Sequence, residues 1–212
     1  MESGSRERLE VSAILIAIAG YVDANGFILL GHLFVSFMSG NSTQFAVRAV
    51  QGDWREAVLA GTIVGLFLGG VIAGRLLAST LKQFGRPVVL IIEAAVLAVG
   101  IAGFGSKLLS STPLVLAMGI QNAAVRKSGE PKVSVTYVTG TLVHLGEKFV
   151  DGMLAPDARW SWLPYLLLWL AMVFGAAVGT VLNILLGREA LIIPAAALLV
   201  LAAFTAFAAP EA

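Results

Sequence analysis

Six long apolar stretches constrain this chain more than any other feature. A bilayer core is about 30 Å thick and needs about 20 predominantly apolar residues per crossing helix. Six stretches of 18 to 24 residues meet this requirement: Val11–His32, Ala57–Thr80, Pro87–Gly105, Leu108–Val125, Leu163–Leu186 and Ala190–Ala209. With 58% hydrophobic and only 13% charged residues, the chain has too little polar surface for a soluble globule. The sequence predicts an all-α polytopic membrane protein with the lipid bilayer as its surroundings.

The charged and reactive residues exclude several classes of function. The formal net charge is +1, without a basic face, so we expect no nucleic-acid partner. There is no cysteine, and His32 and His144 are the two histidines, so neither a metal site nor a bound cofactor is expected. The sequence also lacks paired catalytic carboxylates and the common hydrolase and nucleotide-binding motifs. We therefore expect a protein that is not an enzyme.

An internal repeat divides the chain into two halves. The segments 35–40 (VSFMSG) and 135–140 (VTYVTG) match in residue type at all six positions, with an offset of 100 residues. Flanking glycines follow approximately the same alignment, with Gly20 over Gly119 and Gly70/Gly74 over Gly175/Gly179. We expect a single membrane domain, 1–212, built from two repeats of about 11–106 and 108–209.

Each repeat contains one segment that is not a simple span, at 33–51 and 133–151. Its first part is β-branched and aromatic, which favours an extended strand, and the Ser-Gly or Thr-Gly pair that follows is a helix N-cap signal. Residues 41–50 and 141–150 are predicted to form half-helices of about 15 Å. Non-helical backbone inside a bilayer is tolerated where protein or a watery cavity satisfies it, so this pattern predicts a lined cavity.

The distribution of Lys and Arg favours re-entrant elements over crossing ones. If both strand-plus-half-helix elements cross the membrane, the 14 basic residues divide seven to seven. If both are re-entrant, they divide ten to four, which obeys the positive-inside rule with both termini cytoplasmic. Three crossings per half then orient the halves oppositely, as inverted repeats. A broken helix that crosses the membrane stays open as the alternative, since strand plus half-helix is long enough to span.

The repeated motif is the predicted binding site. Two half-helix N-termini that face each other near the bilayer midplane present free N–H groups and positive dipole ends to an anion or a polar neutral solute. The alternative is simple capping with small residues for tight packing. The residues assigned to this site are Ser39, Gly40, Asn41, Gln44, Thr139, Gly140, Thr141 and His144, with Gln121 and Asn122 facing them from the fourth span.

Three further features have open interpretations. Asp23 in the first span is either a proton or cation coupling site, together with Asn25 and the facing repeat residues Gln121 and Asn122, or a structural carboxyl that stabilises a helix break before Gly26. Glu93 in the third span is expected to pair with Arg75 or Arg86. Glycine pairs at a spacing of four, such as Gly65/Gly69, Gly70/Gly74 and Gly175/Gly179, indicate either close packing within one subunit or a homodimer interface.

The motifs together resemble the YoaK-type domain-of-unknown-function family of small bacterial inner-membrane proteins. The resemblance covers nearly the whole chain and is carried by Gly20–Ala24, Ser39-Gly40-Asn41, Gln121-Asn122 and Thr139-Gly140-Thr141. Ser39 stands where the family usually has Thr, which keeps the hydroxyl. The resemblance implies a multi-pass inner-membrane protein and supplies no substrate. In design, the repeats are also similar to sulfate- and uracil-type transporters and to aquaporin-type channels.

The sequence therefore favours a small transporter or channel for a polar or anionic solute. One alternative is an intramembrane enzyme that uses Asp23 with His144. Such an enzyme needs both side chains within hydrogen-bond reach in a substrate-sized cavity. Another alternative is a membrane scaffold or sensor that transports nothing.

Overall fold

A computed structural model describes residues 3–81, 85–102, 107–124 and 138–207 of the chain. Its described residues form α-helices and short 3-10 turns, with no strand among them. The helices are α1 (Ser3–Leu30), α2 (Met38–Val50), α3 (Trp54–Thr80), α4 (Gly85–Ala102), α5 (Lys107–Ala124), α6 (Val138–Leu154), α7 (Leu163–Leu186) and α8 (Ile192–Phe207). The 3-10 turns cover Pro156–Ala158 and Gly187–Leu191. The all-α prediction is confirmed for these residues.

Among the described residues, four stretches are long and apolar enough to cross a membrane by length and composition. They are Leu9–Leu30, Trp54–Thr80, Gly85–Ala102 and Pro156–Phe207, and the last contains both α7 and α8. α5, which corresponds to the predicted fourth span, is not among them because its 18 residues include Lys107, three hydroxyl side chains, Gln121 and Asn122. The coarse prediction of a polytopic membrane protein is supported, whereas the count of six spans stays a prediction.

The described residues combine an apolar exterior with several polar side chains buried in a hydrophobic core. The buried polar residues include Asp23, Asn25, Asn41, Glu93 and Gln121. Large apolar side chains are exposed along the outer helices, among them Leu68, Phe174, Ile184 and Val200, each more than half exposed. An apolar outside around an apolar core that also holds buried polar side chains is an arrangement that lipid solvation favours.

The helices pack mainly between the two halves of the chain. The principal pairs are α1 with α7 and α3 with α5, in which the first helix of one half packs against the long helix of the other. α4 packs on α8, and each short helix packs on the long helix that follows it, α2 on α3 and α6 on α7. α4 also packs on α5, which lies almost entirely inside the molecule.

Glycines let α3 and α5 approach each other closely. A Cβ added to Gly70 of α3 would lie 2.5 Å from the carbonyl oxygen of Leu116, which is closer than van der Waals contact allows. A Cβ on Gly119 of α5 would overlap the carbonyl oxygen of Phe67. The backbones of the two helices therefore touch, which is the packing that small residues permit in membranes.

The α1–α7 pair has the same kind of contact. A Cβ added to Gly175 would overlap the carbonyl oxygen of Ala17, and one added to Gly20 would overlap that of Met172. Gly179 lies against the backbone of Tyr21 in the same interface. The predicted glycine stripes of α3 and α7 thus pack within the subunit at Gly70, Gly175 and Gly179. At Gly65 and Gly69, by contrast, an added Cβ would meet nothing within 4 Å.

Candidate functional site

The chain reverses direction after α1 and re-enters the bundle. Gly31 and His32 both have positive φ angles, 66° and 80°, which is a left-handed conformation that ends the helix and turns the chain back. The following segment, 33–37, has no regular structure. The extended strand predicted at this position is therefore wrong. A strand needs a neighbouring strand to satisfy its backbone, and here side chains supply that satisfaction instead.

Asp23 holds the backbone of this segment against α1. Its carboxylate oxygen Oδ1 accepts hydrogen bonds from the backbone N–H groups of Val35 at 2.9 Å and Ser36 at 2.8 Å. The segment can approach because Gly26 has no side chain, and a Cβ there would overlap the methyl groups of Val35. The expected helix break before Gly26 is wrong, since α1 continues to Leu30. The structural role of Asp23 is to replace water for two amides inside the bundle.

Asn41 satisfies the same segment from the other side. Its side-chain amide donates from Nδ2 to the carbonyl oxygen of Phe34 at 2.6 Å, and its Oδ1 accepts from the Phe34 N–H at 3.0 Å. Asn41 is fully buried. A primary amide reproduces the donor and acceptor of a peptide group, so this pair resembles one rung of a sheet. Together with Asp23, Asn41 satisfies the N–H groups of three consecutive residues, 34 to 36.

The N-terminus of α2 differs from the predicted one. The helix begins at Met38, its N-cap position is Phe37, and no side chain caps it. Ser39 and Gly40 therefore lie in the first turn, Ser39 exposed and Gly40 partly buried. The hydroxyl of Ser39, predicted to cap α2, lies inside the helix instead of before it. Asn41 anchors the preceding segment through Phe34. The first-turn amides of α2 have no side-chain acceptor at the cap position.

α2 reaches about halfway along α3. The ring of Phe45 lies against Gly61, where an added Cβ would sit 3.2 Å from the ring. α2 and α3 are antiparallel, so seven residues back from Phe45 on α2 correspond to seven residues forward from Gly61 on α3. Met38 therefore lies level with about residue 68, near the centre of α3. The N-terminal end of α2 therefore lies at mid-height along α3.

The start of the re-entrant segment and the end of α2 lie together. A shallow, open cleft is lined by residues from the end of α1, the second half of α2 and the start of α3: Gly31, His32, Leu33, Gln44, Arg48 and Glu56. The chain thus leaves and returns to the bundle at the same end between α1 and α3. Gln44 is the one predicted site residue in this cleft. Arg48 also forms an ion pair with Asp53 at 3.7 Å, half exposed.

The second half supplies the matching half-helix, α6. Gly140 and Thr141 are buried, whereas Thr139 is exposed. The predicted strand of this half, 133–138, falls almost wholly outside the described residues. The contacts between His144 and Tyr165 and between Phe149 and Trp162 place the start of α6 near the middle of α7. α2 and α6 themselves are not a principal packed pair within the described helices.

His144 lies on the exposed side of α6. Its Nδ1 is 3.0 Å from the carboxylate of Glu147, one turn further along the helix, and its ring contacts that of Tyr165. Asp23 bonds instead to the backbone of the re-entrant segment. The enzyme alternative requires Asp23 and His144 within hydrogen-bond reach of each other. The structure shows each side chain bonded to other groups instead. Within the described ranges, no three His, Asp or Glu residues are grouped to hold a metal ion.

Asn25 connects α1 to α7 instead of joining Asp23. Its Nδ2 donates to the carbonyl oxygens of Tyr21 and Gly179, and its Oδ1 accepts from Nδ2 of Asn183 at 2.7 Å. Asn183 is not among the predicted site residues. An amide in the last turn of a largely apolar 24-residue helix is the signal by which it could have been found.

Gln121 and Asn122 differ in their surroundings. Gln121 is fully buried and donates from Nε2 to the carbonyl oxygen of Leu15 in α1 at 3.2 Å. Asn122 is partly buried and donates to the carbonyl oxygen of Met118 within its own helix. Gln121 therefore ties α5 to α1, and the part of Gln121 and Asn122 in a solute site stays a prediction.

Comparison with known proteins assigns the family. Residues 11–204 match the family described as "Protein of unknown function (DUF1275)". The chain is 36% identical to the UPF0700 transmembrane protein RA0705 of Rhizobium meliloti (strain 1021), over 97% of this chain and 91% of that protein. It is 30% identical to the UPF0700 transmembrane protein YoaK of Bacillus subtilis (strain 168), over 64% of each chain. No solved structure matches it. The chain therefore belongs to the DUF1275 family of YoaK-type membrane proteins.

Proposed function

We propose that this protein is a transporter or channel for a small polar or anionic solute, and not an enzyme. One observation carries the proposal. The re-entrant segment 33–37 and the N-terminus of α2 lie at mid-height of a bundle with an apolar exterior, and the buried side chains of Asp23 and Asn41 hold the segment there. Irregular backbone at membrane depth is typical of solute pathways, because helices alone would satisfy a merely structural domain.

The chemistry of the segment favours an anion or a neutral solute with acceptor groups. The first turn of α2 has no side-chain cap, and its N–H groups carry the positive end of the helix dipole. Gln44 and Arg48 follow on the same helix and line the open cleft. A solute that entered this cleft would meet donors in succession. We propose that Thr139, Gly140 and Thr141 of α6 contribute the corresponding donors from the second half.

We propose that the two halves are inverted repeats, 11–106 and 108–209. The helix pairing supports this proposal, because exchanging the halves converts the α1–α7 pair into the α5–α3 pair. The close glycine contacts of the two interfaces also correspond when the halves are exchanged. Gly20 approaches the Met172 carbonyl in one interface, and its aligned partner Gly119 approaches the Phe67 carbonyl in the other.

We propose the topology that the charge distribution predicts, with six spans, both termini cytoplasmic and the protein in the bacterial inner membrane. The return of the chain to one end of the bundle between α1 and α3 supports a re-entrant first element. We propose a homodimer that uses the open glycine face of α3 at Gly65 and Gly69. The glycines Gly70, Gly175 and Gly179 already pack within the subunit.

The coupling role of Asp23 with Asn25 stays a proposal. Both side chains already bond to backbone groups, Asp23 to the re-entrant segment and Asn25 to α1 and α7. A change of charge on Asp23 would therefore loosen the segment that borders the solute site. This would couple proton binding to the site through two hydrogen bonds.

The proposal is tested by a ligand screen followed by a glycine variant. Purified protein is screened by thermal shift against phosphate, sulfate, nitrate, uracil and single amino acids, and each compound that stabilises it is measured for flux into proteoliposomes. Gly40→Val should abolish binding and flux, because its Cβ would displace the Phe37 ring, 2.5 Å away, into the path. Gly146→Val is the matched control, since its side chain would meet open space and the residue lies outside the proposed site and the proposed dimer face.

Two results would contradict the proposal. A folded Gly40→Val protein that binds and carries the identified compound like wild type would place the site elsewhere. Proteoliposomes that carry none of the compounds that bind would argue for a sensor or scaffold.

A further inference from the structure

Glu93 on α4 is a buried carboxyl without a partner in the described part of the chain. It is fully buried at the centre of the helix, and among the described residues neither of its carboxylate oxygens has a hydrogen-bond donor. The expected pairing with Arg75 is wrong, because Arg75 is exposed on α3, and no hydrogen bond joins Glu93 to Arg86. An acceptor without a donor inside a protein is rare and needs a physical explanation.

A second unpartnered acceptor lies on α5. The side chain of Gln121 is anchored at one end, where Nε2 donates to the carbonyl oxygen of Leu15. The other end, Oε1, is buried and has no donor among the described residues. The amide thus presents a free carbonyl oxygen to the interior of the bundle.

Helical register brings these two acceptors to the same interface. Gly100 of α4 faces Leu114 of α5, since an added Cβ on Gly100 would lie 2.6 Å from the Leu114 side chain. Glu93 lies seven residues, or two turns, before Gly100 on α4. Gln121 lies seven residues after Leu114 on α5. The two helices are antiparallel neighbours, so both steps run in the same direction by about 10 Å. Glu93 and Gln121 therefore lie on facing sides at one level, within about one turn.

The described elements packed around α4 place no cation beside Glu93. α4 packs on α3, α5, α8 and the 3-10 turn 187–191, and α8 carries no titratable side chain. On α4 itself, Arg86 lies two turns before Glu93. The remaining titratable residues of these elements lie near helix ends or on exposed faces: Arg55, Glu56 and Arg75 on α3, Lys107 at the start of α5, and Arg188 and Glu189 in the turn. An ionised carboxylate in such a place is strongly unfavourable unless a cation accompanies it.

We propose that Glu93 and Gln121 form a buried binding site for one monovalent cation, a proton included. The two carboxylate oxygens and the amide oxygen are the hard oxygen ligands that such a cation takes. This site is separate from Asp23, whose Oδ1 is occupied by the re-entrant segment. The inference goes beyond the proposed function and holds whichever solute the protein carries, because its test measures cation binding alone.

The first test measures melting temperature in detergent for wild type and Glu93→Gln. One series varies Na⁺ against choline at fixed pH, and another varies pH from 5 to 8.5 in choline. A sodium site predicts that Na⁺ raises the melting temperature of wild type and that Glu93→Gln loses this shift. A proton site predicts stabilisation of wild type at low pH, lost in the variant. The matched control is Glu189→Gln, an exposed carboxylate on the neighbouring turn, which should keep the wild-type response.

A second measurement keeps the proposal testable if Glu93→Gln does not fold. Dicyclohexylcarbodiimide reacts with protonated carboxyls in apolar surroundings, and peptide mapping by mass spectrometry locates the adduct on wild-type protein. Labelling at Glu93 that slows when Na⁺ is added or the pH is raised supports the site. If neither Na⁺ nor pH changes the labelling of Glu93, and Na⁺ leaves the melting temperature of wild type unchanged, the proposal is overturned.

Discussion

The hydrogen bonds of Asp23 allow a quantitative test of what holds the re-entrant segment in place. Asp23→Asn and Asp23→Ala both remove the charge, so both relieve the same burial penalty of an ionised side chain. Only the asparagine keeps an oxygen that can accept from the N–H groups of Val35 and Ser36. The difference between the two variants therefore isolates the two backbone hydrogen bonds.

The magnitude follows from the number of amides left without an acceptor. Each buried N–H without a partner costs about 1–3 kcal/mol, so Asp23→Ala should be about 2–6 kcal/mol less stable than Asp23→Asn. The free energy of unfolding is measured by titrating sodium dodecyl sulfate into protein in dodecyl maltoside micelles and following helix content. Thr80→Ala is the control, because its exposed hydroxyl bonds only to carbonyls of its own helix. That variant should stay within about 0.5 kcal/mol of wild type.

A local probe separates a loosened segment from general destabilisation. Ser36→Cys is the single thiol of an otherwise cysteine-free chain, and it replaces a buried residue. Combined with Asp23→Ala, it should react with a membrane-permeant maleimide faster than when combined with Asp23→Asn. Equal stability of the two Asp23 variants, together with equal labelling rates, would refute the argument that the carboxylate anchors this segment.

Three other predictions test the bundle around the site. Asn183→Leu should lower stability by about 1–3 kcal/mol, because it leaves the buried Oδ1 of Asn25 without its donor, and the same titration measures it. Gly175→Val should fail to give a stable monodisperse protein in size-exclusion chromatography, since its side chain would overlap α1, whereas Gly146→Val, whose side chain would meet open space, should behave like wild type. Single cysteines at Gln51 and Ser79 should be labelled by an impermeant maleimide from opposite sides, with Ser79 cytoplasmic; Gln51 is chosen over Gly52, whose φ of 80° disfavours a side chain. Labelling of both from one side would refute the six-span topology.

The sequence alone determined the class of the fold and the position of its helices. α7 coincides with the predicted fifth span, Leu163–Leu186, and α3 and α5 differ from their predictions by at most three residues. This accuracy has a physical origin, because long apolar runs in a bilayer must be helical to satisfy their backbone. The family resemblance also follows from the sequence alone, since short polar motifs carry it.

The tertiary structure decided what the polar residues do. Val35 and its neighbours have strand-type side chains, but the segment is irregular because Asp23 and Asn41, from helices before and after it, bond its backbone. Such bonds join residues 7 to 13 positions apart, and the sequence does not specify which acceptor an amide will find. The same holds for Asn25 with Asn183 and for the unpartnered oxygens of Glu93 and Gln121 among the described residues. Their partners, or the lack of them, follow from the packing of helices from opposite halves of the chain, which residue type and spacing do not encode.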